Sequence, residues 1–394
     1  MSGPLLTLNA GSSSLKFAVF EADGAELGRV VAGQVEGIGT APRLSARGPD
    51  GKTAERRWPD GAGLTHDALL AAVLEWIEGA LDGAKPAAAG HRIVHGGGAF
   101  WRPTRLDEGL LAQLDRLTPL APLHEPHNLA AARAAMAVMP GAPQVACFDT
   151  AFHHGHAPEV DRFALPLEWE ARGLRRYGFH GLSYEYIAQR MAELSPRLAA
   201  GRMIVAHLGA GASLCAIRGG VSVDTTMGFT ALDGLVMATR CGALDPGALL
   251  HLQHAHGLDL ETVEDLLYRK SGLLGVSGIS GDMRVLLASD DPRAAAAVDL
   301  FVFRAVREMG ALAASMGGLD GLVFTAGVGE NAPEIRRRIC ERLAWLGAAL
   351  DADANAAGTG RISRDGAGLE VWVVPTDEEL MIARHTRALL AGAG

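Results

Sequence analysis

The 394-residue chain is 48% hydrophobic and 21% charged, apolar enough for sizeable cores, which excludes global disorder; at about 150 residues per domain it holds two to three domains. Fifty glycines, about 13% against a typical ~7%, and only 5% aromatics favour an α/β enzyme with many tight strand–helix turns over an all-β sandwich. Thirty-six basic against 45 acidic side chains give a net charge of −9, which argues against nucleic acid or an anionic membrane as partner and leaves room for a local basic pocket.

In chain order, the opening residues predict two strands, Leu5–Asn9 and Leu15–Phe20, joined through Gly11 and three serines, with a turn at Asp23-Gly24. No Lys or Arg precedes Lys16, and the Gly/Ser run interrupts any apolar stretch, so no signal peptide is expected. Leu69, Leu70, Val73, Leu74, Ile77 and Leu81 recur at helical spacing, with Thr65 as cap. The helical pattern stops near Pro140–Pro143, and QVACFDTAF reads as a buried strand ending in a polar turn. A second strand–turn–strand follows in MIVAHLGAGASLCAIRGGV; overlaid without gaps, Asn9–Leu15 falls on Leu208–Leu214, a thin signal of a duplicated domain. Asp245-Pro246 opens a helix, and Asp291-Pro292 opens an Ala-rich one that stops near Gly317-Gly318. Gly321–Thr325 is a short strand, so the apolar stretch Gly310 to Gly329 is a helix end plus a strand and not a membrane span. Asn331 with Glu334, and Thr376 with Glu379 after the last strand Glu370–Val374, have capping-box spacing. The four scattered cysteines form no C-x-x-C pair, so a reducing cytoplasm is expected.

Several segments carry chemistry. In NAGSSSLK, small residues let successive N–H groups approach an anion, with Ser12, Ser14 and Lys16 adding donors and charge; an ordinary hairpin turn is the competing reading. In GHRIVHGGG, His91 and His95 lie about 13 Å apart on a strand, too far to share a metal. The same period places Arg92 and Val94 on one face, an anion fork beside an apolar neighbour. Asp149 follows a short strand, where α/β enzymes present polar groups. His153, His154 and His156 lack a fourth ligand at metal spacing. His180 stands in a Gly-flanked turn before a helix expected to be capped by Ser183, and Arg240 in a Gly-rich segment. GDMR and GVGEN read as turns suited to a nucleotide's sugar and base, and Glu378 as a hard oxygen ligand in a first helical turn. The set suits phosphoryl transfer, and no Gly-x-Ser-x-Gly or H-E-x-x-H motif points to hydrolysis.

The ordered motifs NAGSSSLKF, GHRIVHGGG, FDTAFH, YGFHG, HLGAGAS, ISGDMR, FTAGVGEN and PTDEELMIARHT, spread over nearly the whole length, resemble the acetate kinase family. The resemblance implies an α/β fold of two duplicated actin-like, ribonuclease H-like domains around a central cleft, residues 1–150 with the helix 379–392 packing on them, and 151–378. It implies reversible phosphoryl transfer from ATP to a short carboxylate such as acetate, a magnesium ion (manganese as the second candidate), a cytoplasmic homodimer, and neither nucleic acid nor membrane as partner. Carried over by motif, Arg92, Asp149, His180 and Arg240 resemble the catalytic set, and Asn9 and Glu378 the metal-side residues. Val94, Leu123, His124, Phe179 and Ala231 join Arg92 around the carboxylate substrate. Ser12, Ser14, Lys16, His207, Gly209 and Gly211 resemble the phosphate hairpins, and Asp282, Met283, Arg284, Gly327, Glu330 and Asn331 the nucleoside motifs. A carboxylate is already ionised at pH 7, so the implied chemistry needs charge compensation and no general base.

The chain departs from the family pattern at Ala210 (usually Asn), Tyr184 (usually His), Cys241 and Ala243 after Arg240, Glu125 (usually Asn) and Ala231 (usually Pro). A smaller residue at 231 could admit propionate or butyrate. The altered phosphate hairpin lends weight to a second alternative, a noncatalytic ATP-dependent switch; the retained Arg92, Asp149, His180, Arg240 and Glu378 argue for an enzyme.

Overall fold

A computed structural model describes residues 3–11, 14–22, 24, 26–58, 64 and 66–392. Ser12, Asp23 and Thr65 lie outside them. The chain divides into two compact units, Met1–Ala151 with Asp377–Gly394, and Phe152–Thr376.

Unit 1 is built on β1 (Leu5–Ala10), β2 (Ser14–Glu21), β3 (Gly28–Glu36), β4 (Arg43–Arg47), β5 (Thr53–Arg57), β6 (Ala88–Ile93), β7 (Thr104–Arg105) and β8 (Gln144–Phe148) in the order β5-β4-β3-β2-β1-β6-β8-β7. Unit 2 holds β9 (Arg202–Leu208), β10 (Ala212–Arg218), β11 (Val221–Thr225), β12 (Gly321–Thr325), β13 (Gly360–Arg361) and β14 (Glu370–Val373) in the order β11-β10-β9-β12-β14-β13. Each sheet thus contains three antiparallel strands followed by two parallel ones, β3-β2-β1-β6-β8 and β11-β10-β9-β12-β14. The duplication suspected from the two hairpins is therefore one of topology. The ungapped overlay does not survive the turns, because the closing pairs Ala10–Leu15 and Leu208–Ala212 enclose loops of different length.

The parallel strands β6, β8, β9 and β12 are almost wholly buried, as expected when helices cover a sheet. In unit 1, Leu6, Leu8, Phe17 and Val31 pack with Leu70, Val73 and Ile77 of the helix His66–Ala80, each buried aliphatic side chain contributing about 1.5–3 kcal/mol. The final helix, Glu378–Leu390, returns to this unit because Gly90 of β6 leaves room for it: a Cβ there would lie 2.2 Å from Thr386 Oγ1 and 2.6 Å from Ile382 Cγ2. This packing sets Glu378 and Glu379, in the first turn of that helix, beside Asn9 at the end of β1.

The helices Pro246–His256 and Pro292–Met316 begin after Asp245 and Asp291 and end at left-handed Gly257 and Gly317. The capping boxes fail. Asp377 caps the last helix by accepting from Leu380 N, in place of Thr376, and Glu334 pairs with Arg337 and Arg338 while Ala332 precedes its helix. GVGEN is a helical turn, Ala326–Asn331, and not an open loop. Ser183 lies inside the helix Gly181–Leu194, whose N-cap is His180. Among the described residues, no helix is long and apolar enough to cross a membrane.

Candidate active site

In unit 1, β6 and β8 end side by side and carry Arg92 and Asp149 to one edge of the sheet. Arg92 Nε donates to both Asp149 oxygens (3.1 and 2.9 Å), Nη2 to Oδ2 (2.5 Å) and Nη1 to Asn9 Oδ1 (3.1 Å). Asn9 Nδ2 donates to Glu378 Oε2 (3.0 Å) and more weakly to Glu379 Oε1 (3.4 Å). Burial opposes the Arg92 charge, but Asp149, Glu378 and Glu379 outweigh it and hold its pKa above the usual guanidinium value. Burial pushes the Asp149 carboxyl up against the pull of Arg92, and Glu378 adds to the rise. Burial also raises Glu379, reinforced by Glu378 and opposed by Lys16. Ser14 and Lys16 lie at the start of β2, with Lys16 exposed.

The hard oxygens of Glu378 and Asn9 are of the kind that suits magnesium, which uses one or two carboxylates and takes its remaining ligands from phosphates and water. Among the described residues no cluster of three or more His, Cys, Asp or Glu forms a closed cage, so any metal held here would lean on a substrate for coordination.

Behind Arg92, the chain after β6 is fastened to the helix Glu125–Val138. Asn128 accepts from Val94 N (2.9 Å) and donates to Ala10 O (2.5 Å), while Glu125 Oε2 accepts from His95 N (3.2 Å). Val94 is buried; Leu123 and His124 are half-buried in the turn before that helix. His91 pairs with Gln144 and His95 Nδ1 accepts from Gly97 N, so the two serve the fold separately. Glu125 is fully buried, and its Oε1 has no hydrogen-bond partner among the described residues. Burial pushes its carboxyl up to about 8, with His95 N opposing and Asp149 and Asp115 adding. A folded pKa above the unfolded one stabilises fully below the unfolded value, and that contribution is lost as pH rises through the folded value. Between pH 5 and 9 the native protein should therefore lose about 4 kcal/mol more stability than Glu125→Gln. Thermal melts across that range test it; parallel pH profiles would contradict it.

Unit 2 presents a different set. His180 adopts φ 59° as the N-cap of Gly181–Leu194, a left-handed conformation that costs a non-glycine residue about 1–3 kcal/mol and clusters at functional sites. Its Nδ1 lies 2.8 Å from Ser213 Oγ, its ring stacks on His207 at 4.1 Å, and Ser213 is also bonded by the Tyr184 hydroxyl. His207 Nδ1 meets Ser183 Oγ (2.9 Å), which reaches Thr376 (2.8 Å). Arg240 Nη1 donates to the Ala231 carbonyl (2.9 Å). A methyl group on Gly211 would lie 3.5 Å from His180 Nε2 and 3.8 Å from Arg240 Nη1. An imidazole and a guanidinium thus both come close to Gly211, groups whose chemistry suits an anion. Phe179 is buried beside His180.

A cavity of about 600 Å³ in the same unit is lined by Gly209, Ala210, Asp282, Met283, Arg284, Gly327 and Asn331 among others. It gathers most of the expected nucleoside residues, and Ala210 leaves the wall without the amide usual at that position. Asp282 caps its own helix and pairs with Arg284. Glu330 does not line this cavity. It accepts from Ala326 N (2.8 Å) and Thr376 N (3.3 Å), tying down a turn in which Ala326 itself has φ 65°.

The structure therefore gathers Asn9, Arg92, Asp149 and Glu378 in one unit and His180, His207, Gly211 and Arg240 in the other. Val94, Leu123 and His124 belong to unit 1, and Phe179 and Ala231 to unit 2. The motif reading passes over Asn128, Ser213 and Glu379 as supports; Tyr184 and Glu125 stand out in the sequence only as departures from the family pattern.

Residues 4–384 match the model of the Acetokinase family. The chain is 53% identical to an acetate kinase of Rhodopseudomonas palustris over the full length of both, and 53% identical to one of Rhizobium meliloti, covering 98% of each. Among solved structures it resembles Porphyromonas gingivalis acetate kinase (36% identity, 99% and 100% covered, TM-score 0.86) and a propionate kinase of Francisella tularensis (34%, 98% and 99%, TM-score 0.89). With those likenesses the expectation of two actin-like α/β domains holds, and the chain belongs to the acetokinase family.

Proposed function

We propose that the chain is an acetate kinase in which an acetate oxygen displaces ADP directly from the γ-phosphorus of ATP, giving acetyl phosphate, and in reverse makes ATP. ATP-dependent phosphorylation of acetate is the activity carried by its relatives. The observation that bears most on the mechanism is the close approach of His180 Nε2 and Arg240 Nη1 to Gly211. Two anions must meet in this reaction, and their repulsion falls only if fixed positive or proton-donating groups face the charge as it redistributes. His180 and Arg240 would hold the transferring phosphoryl group, while Arg92, anchored by Asp149, would orient the carboxylate; positioning supplies much of the remainder. Asn9 and Glu378 would hold the magnesium ion, which when bound neutralises phosphate charge. The nucleoside would lie in the cavity lined by Asp282, Met283, Arg284, Gly327 and Asn331. A cytoplasmic homodimer as working unit is proposed on the family resemblance alone. Trapping acyl phosphate as a hydroxamate from ATP, magnesium and acetate tests the function; ATP binding with no trapped product from any short acid would support the switch instead.

Ala231, at the carbonyl held by Arg240, is small where the family usually carries Pro. One methylene in an apolar pocket is worth only ~1–3 kcal/mol, so propionate should be used with kcat/KM within about 200-fold of acetate. Ala231→Pro should widen that gap. Strong exclusion of propionate by the unaltered protein would remove the enlarged-pocket idea.

A further inference from the structure

Two of the three histidines of AFHHGH, His153 and His156, are unused by the site and belong to a hydrogen-bonded chain inside unit 2. Asp161 Oδ1 meets His156 Nδ1 (3.0 Å), His156 Nε2 meets Ser222 Oγ (2.8 Å), Ser222 Oγ meets His153 Nδ1 (2.8 Å), and His153 Nε2 meets the Phe179 carbonyl (2.9 Å). Superficially this contains an Asp–His–Ser triad. Ser222 is buried, however, and its hydroxyl is shared by two imidazoles, so it offers no nucleophile to solvent.

Proton accounting assigns the His153 bonds. A carbonyl only accepts, so His153 carries a proton on Nε2. Burial disfavours a second proton on this ring, so its Nδ1 accepts from the Ser222 hydroxyl. The surroundings agree. Burial pushes His153 down to about 3. Asp161 lies below the usual carboxylate value because His156 and Arg175 outweigh its burial. Cys215 Sγ, 3.3 Å from Ser222 Oγ, completes the shell.

This chain ends on the backbone of the strained turn. Gly178 has φ 74°, and a Cβ on it would lie 2.5 Å from His153 Cδ2, so the imidazole occupies the place of the missing side chain. The same imidazole meets Tyr184 edge-on at 5.7 Å, and the Tyr184 hydroxyl bonds Ser213, the partner of His180 Nδ1. His153 thus braces His180 from both its main chain and its side-chain support. We propose that His153 is a positioning residue for phosphoryl transfer, locked as the Nε2–H tautomer between the Ser222 hydroxyl and the Phe179 carbonyl, and that it holds His180 in its left-handed conformation. This rests on the reading of His180 as a group facing the transferring phosphoryl.

The test combines kinetics of His153→Leu, His153→Gln, Ser222→Ala and His180→Ala with nitrogen NMR of the imidazoles in the unaltered protein. His153→Leu and Ser222→Ala should lower kcat about 10–100-fold, the usual cost of removing a supporting partner, with KM for ATP little changed. Gln can offer an amide N–H to the same carbonyl, so His153→Gln should recover most of the rate. The spectra should show His153 neutral and protonated on Nε2 at pH 7. Wild-type kcat in His153→Leu beside an impaired His180→Ala, or an Nδ1–H tautomer at His153, would overturn the positioning role alone. A wild-type rate in His180→Ala would overturn the reading of His180 and the positioning role with it. The NMR arm decides the tautomer even if a variant fails to fold.

Discussion

Arg240→Ala should lower kcat by about three to four orders of magnitude in either direction of the reaction while the protein stays folded. An arginine facing a transferring phosphoryl group is worth about 10³–10⁵ in rate. Arg240 Nη1 bonds to the Ala231 carbonyl and Met237 Sδ, contacts whose loss costs little stability beside that kinetic effect. Arg240→Lys should recover only part of the rate, because an ammonium keeps the charge but not the planar fork. Single-turnover formation of acetyl phosphate separates this from a binding defect. A folded Arg240→Ala with an unchanged single-turnover rate would remove Arg240 from the chemistry.

Arg92→Ala should cost both activity and stability. It strips a buried carboxylate, 1% exposed, of its guanidinium partner with Glu378 close by, and removing one partner of a buried pair typically costs about 3–5 kcal/mol. Asp149 can escape part of that penalty by taking up a proton. Its pKa, already raised by burial, should climb further in the variant, so the stabilising protonated form is lost as pH rises through that value. Arg92→Ala should therefore be least destabilised near pH 5 and most near pH 8, with kcat/KM for acetate reduced about a hundred- to a thousandfold, the scale of lost electrostatic stabilisation. Adding Asp149→Asn should restore stability at pH 8 without restoring activity. If the single variant melts like the unaltered protein at pH 8, the pair is not the buried ion pair described.

Much of the fold was legible because the strand–turn–helix punctuation is strong: β1 and β2, β8 before Asp149, and the helices opened by Asp245-Pro246 and Asp291-Pro292 all form where pattern and propensity agree. The expected caps went wrong where a side chain is committed to tertiary contacts. Ser183 fits a cap by spacing but is drawn inward to His207 and Thr376, and His180 takes the cap position in a conformation that no propensity favours. Glu330 falls in a nucleoside motif by sequence, yet it braces the left-handed Ala326. At the candidate site, the motifs name charged groups and pass over long-range bonds. Those of Ser213, Asn128, Ser222 and His153 span 26 to 118 residues of sequence, which no local spacing encodes. The return of the last helix to unit 1 hangs on Gly90, whose vacancy is visible only when Thr386 and Ile382 pack against it.

The most direct test of charge compensation is the affinity of a planar aluminium fluoride anion for the protein with magnesium, ADP and acetate, measured by calorimetry on the unaltered chain and on Arg240→Ala. The anion mimics the flattened phosphoryl group between two oxygens. Tight binding that requires acetate and falls at least about a hundredfold in the variant, the scale of one lost transition-state donor, is the expected result. Equal affinity in the two proteins, or binding indifferent to acetate, would contradict the account.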